Sequence, residues 1–282
     1  IYVLAEGDVA FPQIDTYQNT TVALKSDGTV WTWGYNGNGE LGLGDNKNQS
    51  APCKVNIDNV KQIAVGYTHV LALKTDGTVW SFGLNSSGEL GIGSNVASSV
   101  PVQVLSEVQD EDGHYIPLGN IKEISAGYHL SMALANDGHI YTWGYGGYGQ
   151  LGLGSTSTRN VATKMTAIYD ITKIEAGQYS GYAINDEGKV YAWGYNRYGQ
   201  LGDGSNTNRT LPVLVSGLDE VIDIAATRSY QTFALKADGT VWGFGYATND
   251  ALTDIGGAIP KALQGVDAGR MRNISDISGG YY

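Results

Sequence analysis

The stretch ALKTDGTVWSFG, residues Ala72–Gly83, occurs five times in the chain with small changes. The other copies are Ala23–Gly34, Ala133–Gly144, Ala183–Gly194 and Ala234–Gly245. The copies start at residues 23, 72, 133, 183 and 234, so they lie 49, 61, 50 and 51 residues apart. A repeat of about 50 residues predicts a propeller or a solenoid, in which each unit buries its apolar surface against its neighbours.

Each copy predicts a β-hairpin. In the second copy, Val70–Leu73 is a small and apolar run that suits a strand, and Thr78–Phe82 alternates β-branched and aromatic residues. Asp76 and Gly77 between them form a turn signal, because glycine accepts the positive φ that a tight turn requires. The same dipeptide stands at residues 27–28, 137–138 and 238–239, with Glu187-Gly188 as the one variant.

A glycine-rich run follows four of the five copies, at Gly34–Gly44, Gly83–Gly93, Gly144–Gly154 and Gly194–Gly204. Its glycines keep the same offsets, whereas the pattern is lost after the fifth copy, over Tyr246–Gly257. A phosphate-binding loop would need the N-terminus of a helix behind it. Turn-forming Asn, Ser and Thr residues follow instead, so a nucleotide site is not expected.

These residues resemble the regulator-of-chromosome-condensation repeat family. The resemblance rests on the A-L-x-x-D-G-x-V-W-x-W-G hairpin, the following G-x-L-G-x-G, and the I-x-A-G-x-x-H-like segment at Ile63–His69. It covers nearly the whole chain and looks bacterial in type. It implies a β-propeller, usually of seven blades, and a distant similarity to the secreted propeller-type inhibitors of β-lactamases.

The expected fold class is all-β, with residues 1–282 as a single propeller domain of four-stranded blades. The first strands of the five full repeats are predicted at Val9–Asp15, Lys61–Ala64, Ile121–Ala126, Ile171–Ala176 and Val221–Ala226. A sixth first strand, Asn273–Ser278, has no hairpin after it. We therefore expect segments 1–15 and 273–282 to share one closing blade. This favours six blades, or seven if the chain is a fragment, as its start at Ile1 without Met indicates.

The longest interval between copies holds an insertion, Ser106–Asn120. Glu111–Gly113 lies in it between two short strand-like segments, which predicts an extra hairpin. In the founding member of the family an inserted hairpin contributes to contacts with a GTPase. A surface decoration is the simpler interpretation, and the residues favour it.

Composition excludes several classes of function. The 17 Lys and Arg against 28 Asp and Glu give a net charge of −11, which disfavours binding to nucleic acid or to an anionic membrane surface. No apolar run approaches the ~20 residues that span a membrane. The single cysteine, Cys53, excludes an internal disulfide. The acidic, cysteine-poor, Asn- and Gly-rich sequence is typical of an extracellular or cell-surface module of a bacterium, with an intracellular location as the alternative.

No pattern in the chain predicts catalysis. His69 and His129 stand near the same place in neighbouring repeats, but no Asp, Glu or Cys recurs with them as further metal ligands. No Ser/His/Asp arrangement or carboxylate pair stands out at the level of the repeat. We therefore expect no enzyme activity, no catalytic residue, no metal and no cofactor.

The aromatic residues are the more informative feature. The six tryptophans lie in the return strands and are expected to pack between blades. The 19 tyrosines concentrate in loops, where a large apolar ring with a polar tip suits a binding surface. One set lies in the turn that opens each blade, a second follows the aromatic-Gly pair, and a third lies in the glycine-rich run at Tyr148 and Tyr198. The candidate binding residues are Tyr17, Tyr67, Tyr128, Tyr179, Tyr230, Tyr281, Tyr35, Tyr145 and Tyr195.

The function predicted from these loops is a non-enzymatic protein-interaction module that presents a tyrosine-rich face to an unknown protein partner. Tyr67, Tyr128, Tyr179 and Tyr230 are expected to expose their rings on that face. The alternative is a carbohydrate-binding propeller, because Tyr35-Asn36 and Tyr195-Asn196 also suit sugar stacking. An inhibitor of a secreted enzyme is a third possibility, since Tyr67, Tyr128 and Tyr179 match the inhibitors' aromatic positions. A regulator of the guanine-nucleotide-exchange type is a fourth.

Overall fold

The computed structural model of the chain describes residues 7–246, 257–263 and 274–278. These residues form twenty-two β-strands and no helix, and hence no helix that could cross a membrane. By internal contacts the chain divides into two compact units. The first comprises Ile1–Tyr145 with Thr158–Lys164, and the second comprises Gly146–Ser157 with Met165–Tyr282.

The first unit contains three antiparallel blades. The first blade is β1 (Gln13–Tyr17), β2 (Thr20–Leu24), β3 (Val30–Gly34) and β4 (Gln49–Lys54). The second is β5 (Val60–Val65), β6 (His69–Lys74), β7 (Val79–Gly83) and β8 (Ser98–Gln103). An insertion of β9 (Leu105–Gln109) and β10 (Tyr115–Pro117) precedes the third, which is β11 (Ile121–Ala126), β12 (Leu130–Ala135), β13 (Ile140–Gly144) and β14 (Arg159–Lys164).

The second unit contains two further blades. The fourth blade is β15 (Ile171–Ala176), β16 (Ser180–Asn185), β17 (Val190–Gly194) and β18 (Arg209–Leu214). The fifth is β19 (Val221–Ala226), β20 (Gln231–Lys236), β21 (Val241–Gly245) and β22 (Gly257–Ala262). Five repeated four-stranded antiparallel sheets, each from one copy of the repeat, confirm the predicted fold class of a β-propeller.

The predicted hairpin is confirmed in every copy. In the second blade, β6 pairs with β7 from His69–Gly83 to Leu73–Val79. The turn between them closes with a hydrogen bond from Gly77 N to Lys74 O at 3.0 Å, and Gly77 has φ +81°. Five of the six residues of β6 are buried, because its blade is the middle one of the first unit and is covered on both faces.

The predicted first strand of the chain begins too early. The sequence places it at Val9–Asp15, whereas β1 runs from Gln13 to Tyr17. The N–H groups of Val9 and Ala10 both donate to the carbonyl of Ser26, at 2.8 and 3.2 Å, so this apolar pair contacts the hairpin turn of its own repeat instead of pairing with β2.

The hairpin turn of one blade also fixes the start of the next. Gly28 O accepts from Val60 N, Gly77 O from Ile121 N, and Gly188 O from Val221 N, at 2.9–3.1 Å. The residue just before the first strand of each of the second to fifth blades has a left-handed backbone, with φ near +60°. These residues are Asn59, Asn120, Asp170 and Glu220. The turn glycine therefore serves both its own hairpin and the register of the following blade.

Side chains of one blade form hydrogen bonds with the backbone of the first strand of the next blade. The first strand of a blade lacks a neighbour on one side, so its N–H groups need other acceptors. Gln13 Oε1 accepts from Ile63 N at 2.9 Å, and Asp15 Oδ2 accepts from Val65 N at 2.8 Å. The Gln62 amide likewise bonds both backbone groups of Ile124. This explains why polar residues alternate with apolar ones in strands that lie inside the fold.

The tryptophans differ in burial. Trp143 and Trp193, the second aromatic of their return strands, are fully buried, whereas Trp33 at the same position of the first blade is half-buried. Trp31, Trp80 and Trp242, the first aromatic, are half-buried, and a lysine ammonium lies 5.6–5.9 Å from each ring centre. Trp80 and Trp242 nevertheless pack against the apolar core, in agreement with the predicted packing role.

The insertion forms the predicted hairpin. Strands β9 and β10 are antiparallel, and the turn between them closes with a hydrogen bond from Gly113 N to Asp110 O. Ser106 of β9 pairs in parallel with Ala162 of β14, so the insertion extends the third blade to a six-stranded sheet. Most of its side chains are exposed.

The predicted closing blade falls largely outside the described residues, because positions 1–6, 273 and 279–282 are not among them. Within the described segment 274–278, Ile274 N donates to Gly239 O at 3.3 Å. This is the bond by which the other turn glycines hold a following first strand. Five blades with the start of a sixth repeat agree with a propeller of about six blades.

The turn geometry predicts the effect of replacing Gly77 with Val. A β-branched residue is strained at φ +81°, and a Cβ here would lie 3.3 Å from Ile121 N. We expect Gly77→Val to lower the free energy of unfolding by at least ~1 kcal/mol, measured by urea denaturation. Gly113→Val is the matched control, because Gly113 has φ +80° with open space around it. Equal losses in the two variants would contradict the proposed contact with the next blade.

Candidate functional site

Two loops of each blade meet at one end of the sheet. The opening turn joins the first and second strands, and the glycine-rich run follows the third strand. A backbone hydrogen bond ties the two loops, from Leu84 N to Thr68 O in the second blade and from Tyr195 N to Tyr179 O in the fourth, at 2.8 and 2.9 Å. The candidate tyrosines lie in these tied loops.

The opening-turn tyrosines do not occupy one position, contrary to the expectation of a recurring ring. The residue whose carbonyl ties the two loops is Asn19, Thr68, His129, Tyr179 or Tyr230 in the five blades. Tyr67 and Tyr128 therefore stand one residue before this position, Tyr17 stands two before it, and Tyr179 and Tyr230 occupy it. The tyrosines precede their hairpin copies by 6, 5, 5, 4 and 4 residues, so the sequence itself contains this signal.

In the first unit, the predicted residues form a packed aromatic group. Tyr17 is 3% exposed and lies edge-on to Tyr67, with ring centres 5.4 Å apart. Tyr67 and Tyr128 stack at 4.0 Å, and both pack on the apolar core. The buried Tyr17 ring supports its neighbours and does not offer a surface. Tyr145 is half-buried, whereas Tyr35 is 45% exposed.

In the second unit, six tyrosines form one continuous group, which we call the tyrosine cluster. Its ring centres lie 4.7–6.4 Å apart along seven contacts. Tyr148 and Tyr246 are 37% and 38% exposed, and the other four are half-buried. The members are Tyr148, Tyr179, Tyr195, Tyr198, Tyr230 and Tyr246.

The structure brings together three of the predicted site residues in this cluster, Tyr179, Tyr195 and Tyr230. It adds Tyr148, Tyr198 and Tyr246, which belong to the tyrosine sets of the loops but are not among the predicted binding residues. Tyr281 lies outside the described residues.

The asparagines beside the tyrosines have a structural role. The sequence suggests Asn36 and Asn196 as partners for a sugar, but both are fully buried. Asn196 Nδ2 donates to the carbonyls of Ser205 and Thr207, and Leu201 N donates to Asn196 Oδ1. Asn36 makes the corresponding bonds in the first blade. These amides hold the glycine-rich run in shape, so they are not available for a ligand.

A buried Glu or Gln recurs in all four glycine-rich runs, directly after the second of the glycines that the runs have in common. It is Glu40, Glu89, Gln150 or Gln200, and the side chain is at most 2% exposed in each. In every copy a side-chain oxygen accepts from the backbone N–H two residues earlier, at 2.8–3.0 Å. In two copies the next tryptophan binds the backbone of this position, with Trp143 Nε1 donating to Glu89 O and Trp193 Nε1 to Gln150 O, both at 2.8 Å.

Glu89 lies between two histidines. His129 Nδ1 donates to Glu89 Oε1 at 2.6 Å, across the opening turn of the third blade. Although burial raises the pKa of Glu89, this bond and the hydrogen bond from Ser87 N hold that pKa below its ordinary value. The carboxylate is therefore ionised, and His129 is its partner.

His69 is a neutral structural residue. Its Nε2 lies 2.9 Å from Ser131 Oγ, whose own proton is donated to Glu89 O, so Nε2 must carry the imidazole proton. The other ring nitrogen, Nδ1, is buried and has no hydrogen-bond partner among the described residues. Burial lowers the pKa of His69 to about 4, helped by His129 and opposed by Glu89.

One group of possible metal ligands occurs among the described residues. Asp110, Asp112 and His114 lie together in the exposed turn of the insertion. The Asp110 carboxylate there accepts from the backbone N–H groups of Asp112 and His114, which is the ordinary closure of a turn.

Comparison with known proteins identifies the class of the fold. The chain matches the model of the RCC1-like domain over residues 3–282, so it belongs to the RCC1-like domain family. It is similar to the ultraviolet-B receptor UVR8 of Arabidopsis thaliana, with 29% identity over 151 residues, which are 52% of this chain and 32% of UVR8. The chain thus spans about a third of that relative.

Two solved structures share the fold. Human WBSCR16 has a TM-score of 0.78 at 23% identity, covering 95% of this chain and 69% of that one. Prp20p of Saccharomyces cerevisiae has a TM-score of 0.74 at 21% identity, covering 90% of this chain and 63% of that one. At these identities the likeness shows the fold alone. These relatives are eukaryotic, so they give no support to the bacterial type expected from composition.

The burial of His69 predicts a pH dependence of stability. Its pKa is about 4 in the folded chain and ordinarily 6.5, so the unfolded chain binds more protons between these values. The contribution is complete above pH 6.5 and falls as the pH drops towards 4, by up to about 3 kcal/mol. We expect His69→Asn to reduce the loss of unfolding free energy between pH 7 and pH 4, measured by urea denaturation.

The control for this measurement is His114→Asn, because the His114 side chain is 79% exposed. This variant should keep the pH profile of the unmodified chain. An unchanged profile in His69→Asn would contradict the assignment of His69 as the buried neutral histidine.

Proposed function

We propose that this chain is a protein-interaction module without catalytic activity and that it binds a protein partner through the tyrosine cluster of the second unit. The single observation that carries the proposal is the continuity of six tyrosine rings from five separate loops. Tyrosine is enriched among the residues that dominate binding energies, because it combines a large apolar area with a polar tip.

The exposure of the cluster supports binding over packing. The core tyrosine of the fourth blade, Tyr182, is fully buried and donates its hydroxyl proton to Gln200 O. The rings of the tyrosine cluster are instead half-buried or exposed. Arg197, which is exposed, stands between Tyr195 and Tyr198 and adds the other residue type most enriched at interfaces.

The loops that carry the cluster are held rigidly. Tyr230 has φ +65°, an uncommon backbone for an aromatic residue. The turn before it is fixed by Thr227, whose Oγ1 accepts from Ser229 N and Gln231 N. Asn196 holds the loop of Tyr195 and Tyr198 in the same way. A surface ordered before binding loses less conformational entropy on association, which favours affinity.

The family gives support of a general kind. The structure of Prp20p was described together with its binding to Gsp1p and histones, and another structure contains Kap60 bound to yeast RCC1. Protein partners of such a propeller support a protein partner here. A regulator of the guanine-nucleotide-exchange type is one form that this function could take, to be decided by whether the partner is a GTPase.

A carbohydrate ligand and an inhibitory role have less support. Neighbouring rings in the cluster are inclined at 38–72° to each other, so they do not form the flat platform on which a sugar ring stacks. The asparagines beside the tyrosines are committed to their own loops. Inhibition of a secreted enzyme, like an extracellular or cell-surface location, is proposed from sequence resemblance and composition alone.

The test removes one ring from the middle of the cluster. Tyr198 touches the rings of Tyr195, Tyr230 and Tyr246, so Tyr198→Ala should weaken the partner complex about thirtyfold or more, while the melting temperature falls only slightly. Partners retained by the unmodified chain would be identified by mass spectrometry, and the dissociation constant of the purified complex would be measured by calorimetry.

The matched control is Tyr169→Ala, which removes a 67% exposed tyrosine of the same unit outside the cluster and should leave affinity unchanged. Unchanged affinity in Tyr198→Ala, together with a large loss of stability, would make the cluster a packing feature and defeat the proposal. Binding to a glycan array with no protein retained would favour a carbohydrate ligand.

A further inference from the structure

We call the residue whose carbonyl joins the two loops of a blade the tying residue; it is Asn19, Thr68, His129, Tyr179 or Tyr230. In the order of the chain, the buried Glu or Gln of each glycine-rich run corresponds to the tying residue of the next blade. Glu89 is matched with His129, and the bond between them is 2.6 Å long. Gln150 and Gln200 are neutral, and Tyr179 and Tyr230 stand at the matching positions. The buried side chain and its matching residue therefore agree in these three repeats, because the side chain is either neutral or hydrogen-bonded to that residue.

The first repeat breaks this agreement. Its run carries Glu40, and the tying residue of the next opening turn is Thr68, which occupies the position of His129. Glu40 is 2% exposed and accepts two hydrogen bonds from Asn38, at 2.8 Å from the backbone N and 2.7 Å from Nδ2. No cationic side chain among the described residues pairs with it. The Thr68 hydroxyl is also buried without a hydrogen-bond partner there.

A pocket lies beside Thr68, at the position that the larger side chains of His129, Tyr179 and Tyr230 occupy in later repeats. Its volume is about 370 Å³, within the range of ligand sites, and Glu40 and Thr68 both line it. Tyr35 and Tyr67 line it as well, together with the polar residues Asn38 and Asn19. The combination is a buried carboxylate in an aromatic surround, which is the arrangement that recognises an organic cation.

We propose that this pocket, which we call the Glu40 pocket, receives one basic side chain, Lys or Arg, of a protein partner, and that Glu40 is the anion that pairs with it. The carboxylate has accepting positions left after its two bonds to Asn38. The tyrosine faces attract a cation, and the alkyl stem of Lys or Arg suits their apolar area. An anionic group is excluded by Glu40, and a neutral group would leave the buried charge without a partner.

The fold does not require a carboxylate at this position. Gln150 and Gln200 accept the same backbone bond with an amide oxygen, so a neutral side chain performs the structural role. The negative charge of Glu40 is therefore additional to what the loop needs. The inference is independent of the tyrosine cluster, because all residues of the Glu40 pocket lie in the first unit.

The experiment titrates short capped peptides, Ala-Arg-Ala and Ala-Lys-Ala, into the chain and follows isotope-labelled tyrosine signals by NMR. A matched peptide with citrulline, the neutral isostere of Arg, controls for shape. We expect saturable shifts with dissociation constants in the millimolar range for the two cationic peptides and none for citrulline. Free pentane-1,5-diamine is the third probe, to distinguish a small amine from a side chain.

Three variants locate the binding. Glu40→Gln places the residue that two other repeats use, so it should fold and should weaken peptide binding at least about tenfold. Thr68→His supplies the imidazole found at position 129, which can donate a hydrogen bond to Glu40, and should block the Glu40 pocket from within. Glu111→Gln removes the same unit of charge from the exposed insertion and should bind as the unmodified chain does.

Several outcomes would overturn the inference. These are equal binding of the citrulline peptide, unchanged binding in Glu40→Gln, and the absence of saturable shifts at about 50 mM of either cationic peptide. Tighter binding of the free diamine than of both peptides would also overturn it, because the ligand would then be a small amine. If Glu40→Gln fails to fold, Thr68→His alone decides, since it leaves Glu40 in place.

Discussion

Each glycine-rich run packs closely against an aromatic ring of the next repeat, and in two of the four runs a hydrogen bond joins that ring, an indole, to a backbone carbonyl. Trp143 donates to Glu89 O, and Trp193 donates to Gln150 O, so the return strand of one repeat holds the glycine-rich run that precedes it. The run can approach only because it has glycine there: a Cβ at Gly91 or Gly152 would lie 2.9 Å from the indole nitrogen. A buried indole N–H needs an acceptor, and the carbonyl needs a donor, so each satisfies the other. The recurring glycine offsets, which superficially resemble a phosphate loop, are thus a requirement of packing.

The fold could be predicted because its signals are local. The alternation of Thr78–Phe82 and the glycine of the turn specify a hairpin within a dozen residues, and repetition supplies the neighbours that cover it. The start of β1 could not be placed in the same way. Val9 and Ala10 are as apolar as a strand, but their N–H groups bond to Ser26, and nothing in the sequence separates the two uses. The tryptophans show a similar limit, because Trp33 is half-buried whereas Trp143 and Trp193 at the same position of their strands are fully buried.

The candidate site is predicted less well, since it depends on register. The opening turns differ in length by single residues, and a shift of one residue sends a side chain in a different direction. The sequence pattern therefore groups Tyr17 with Tyr67, although Tyr17 is buried and Tyr67 is not. It also aligns Tyr179 with Tyr128, although Tyr179 occupies the position of His129. The number of residues between each tyrosine and its hairpin copy reveals that Tyr17 and Tyr179 are both shifted from the position of Tyr67 and Tyr128. The pairing of Glu89 with His129 cannot be found by counting, because it joins residues of different repeats across space.

Once register is known, the repeats serve as internal controls for one another. Burying a carboxylate is unfavourable unless hydrogen bonds and an opposite charge compensate it. Glu89 accepts hydrogen bonds from Ser87 N and His129 Nδ1. Gln150 and Gln200 bury no charge, although the Nε2 atom of each is buried without a hydrogen-bond partner among the described residues. Glu40 has only its two bonds to Asn38. All four side chains accept the same backbone bond, so the shape of the run does not explain the difference among them. The residue that departs from the electrostatic pattern of its own repeat also lines a pocket of about 370 Å³. A buried carboxylate without a cationic partner among the described residues, beside a pocket, is therefore the basis for inferring an interaction made outside the chain.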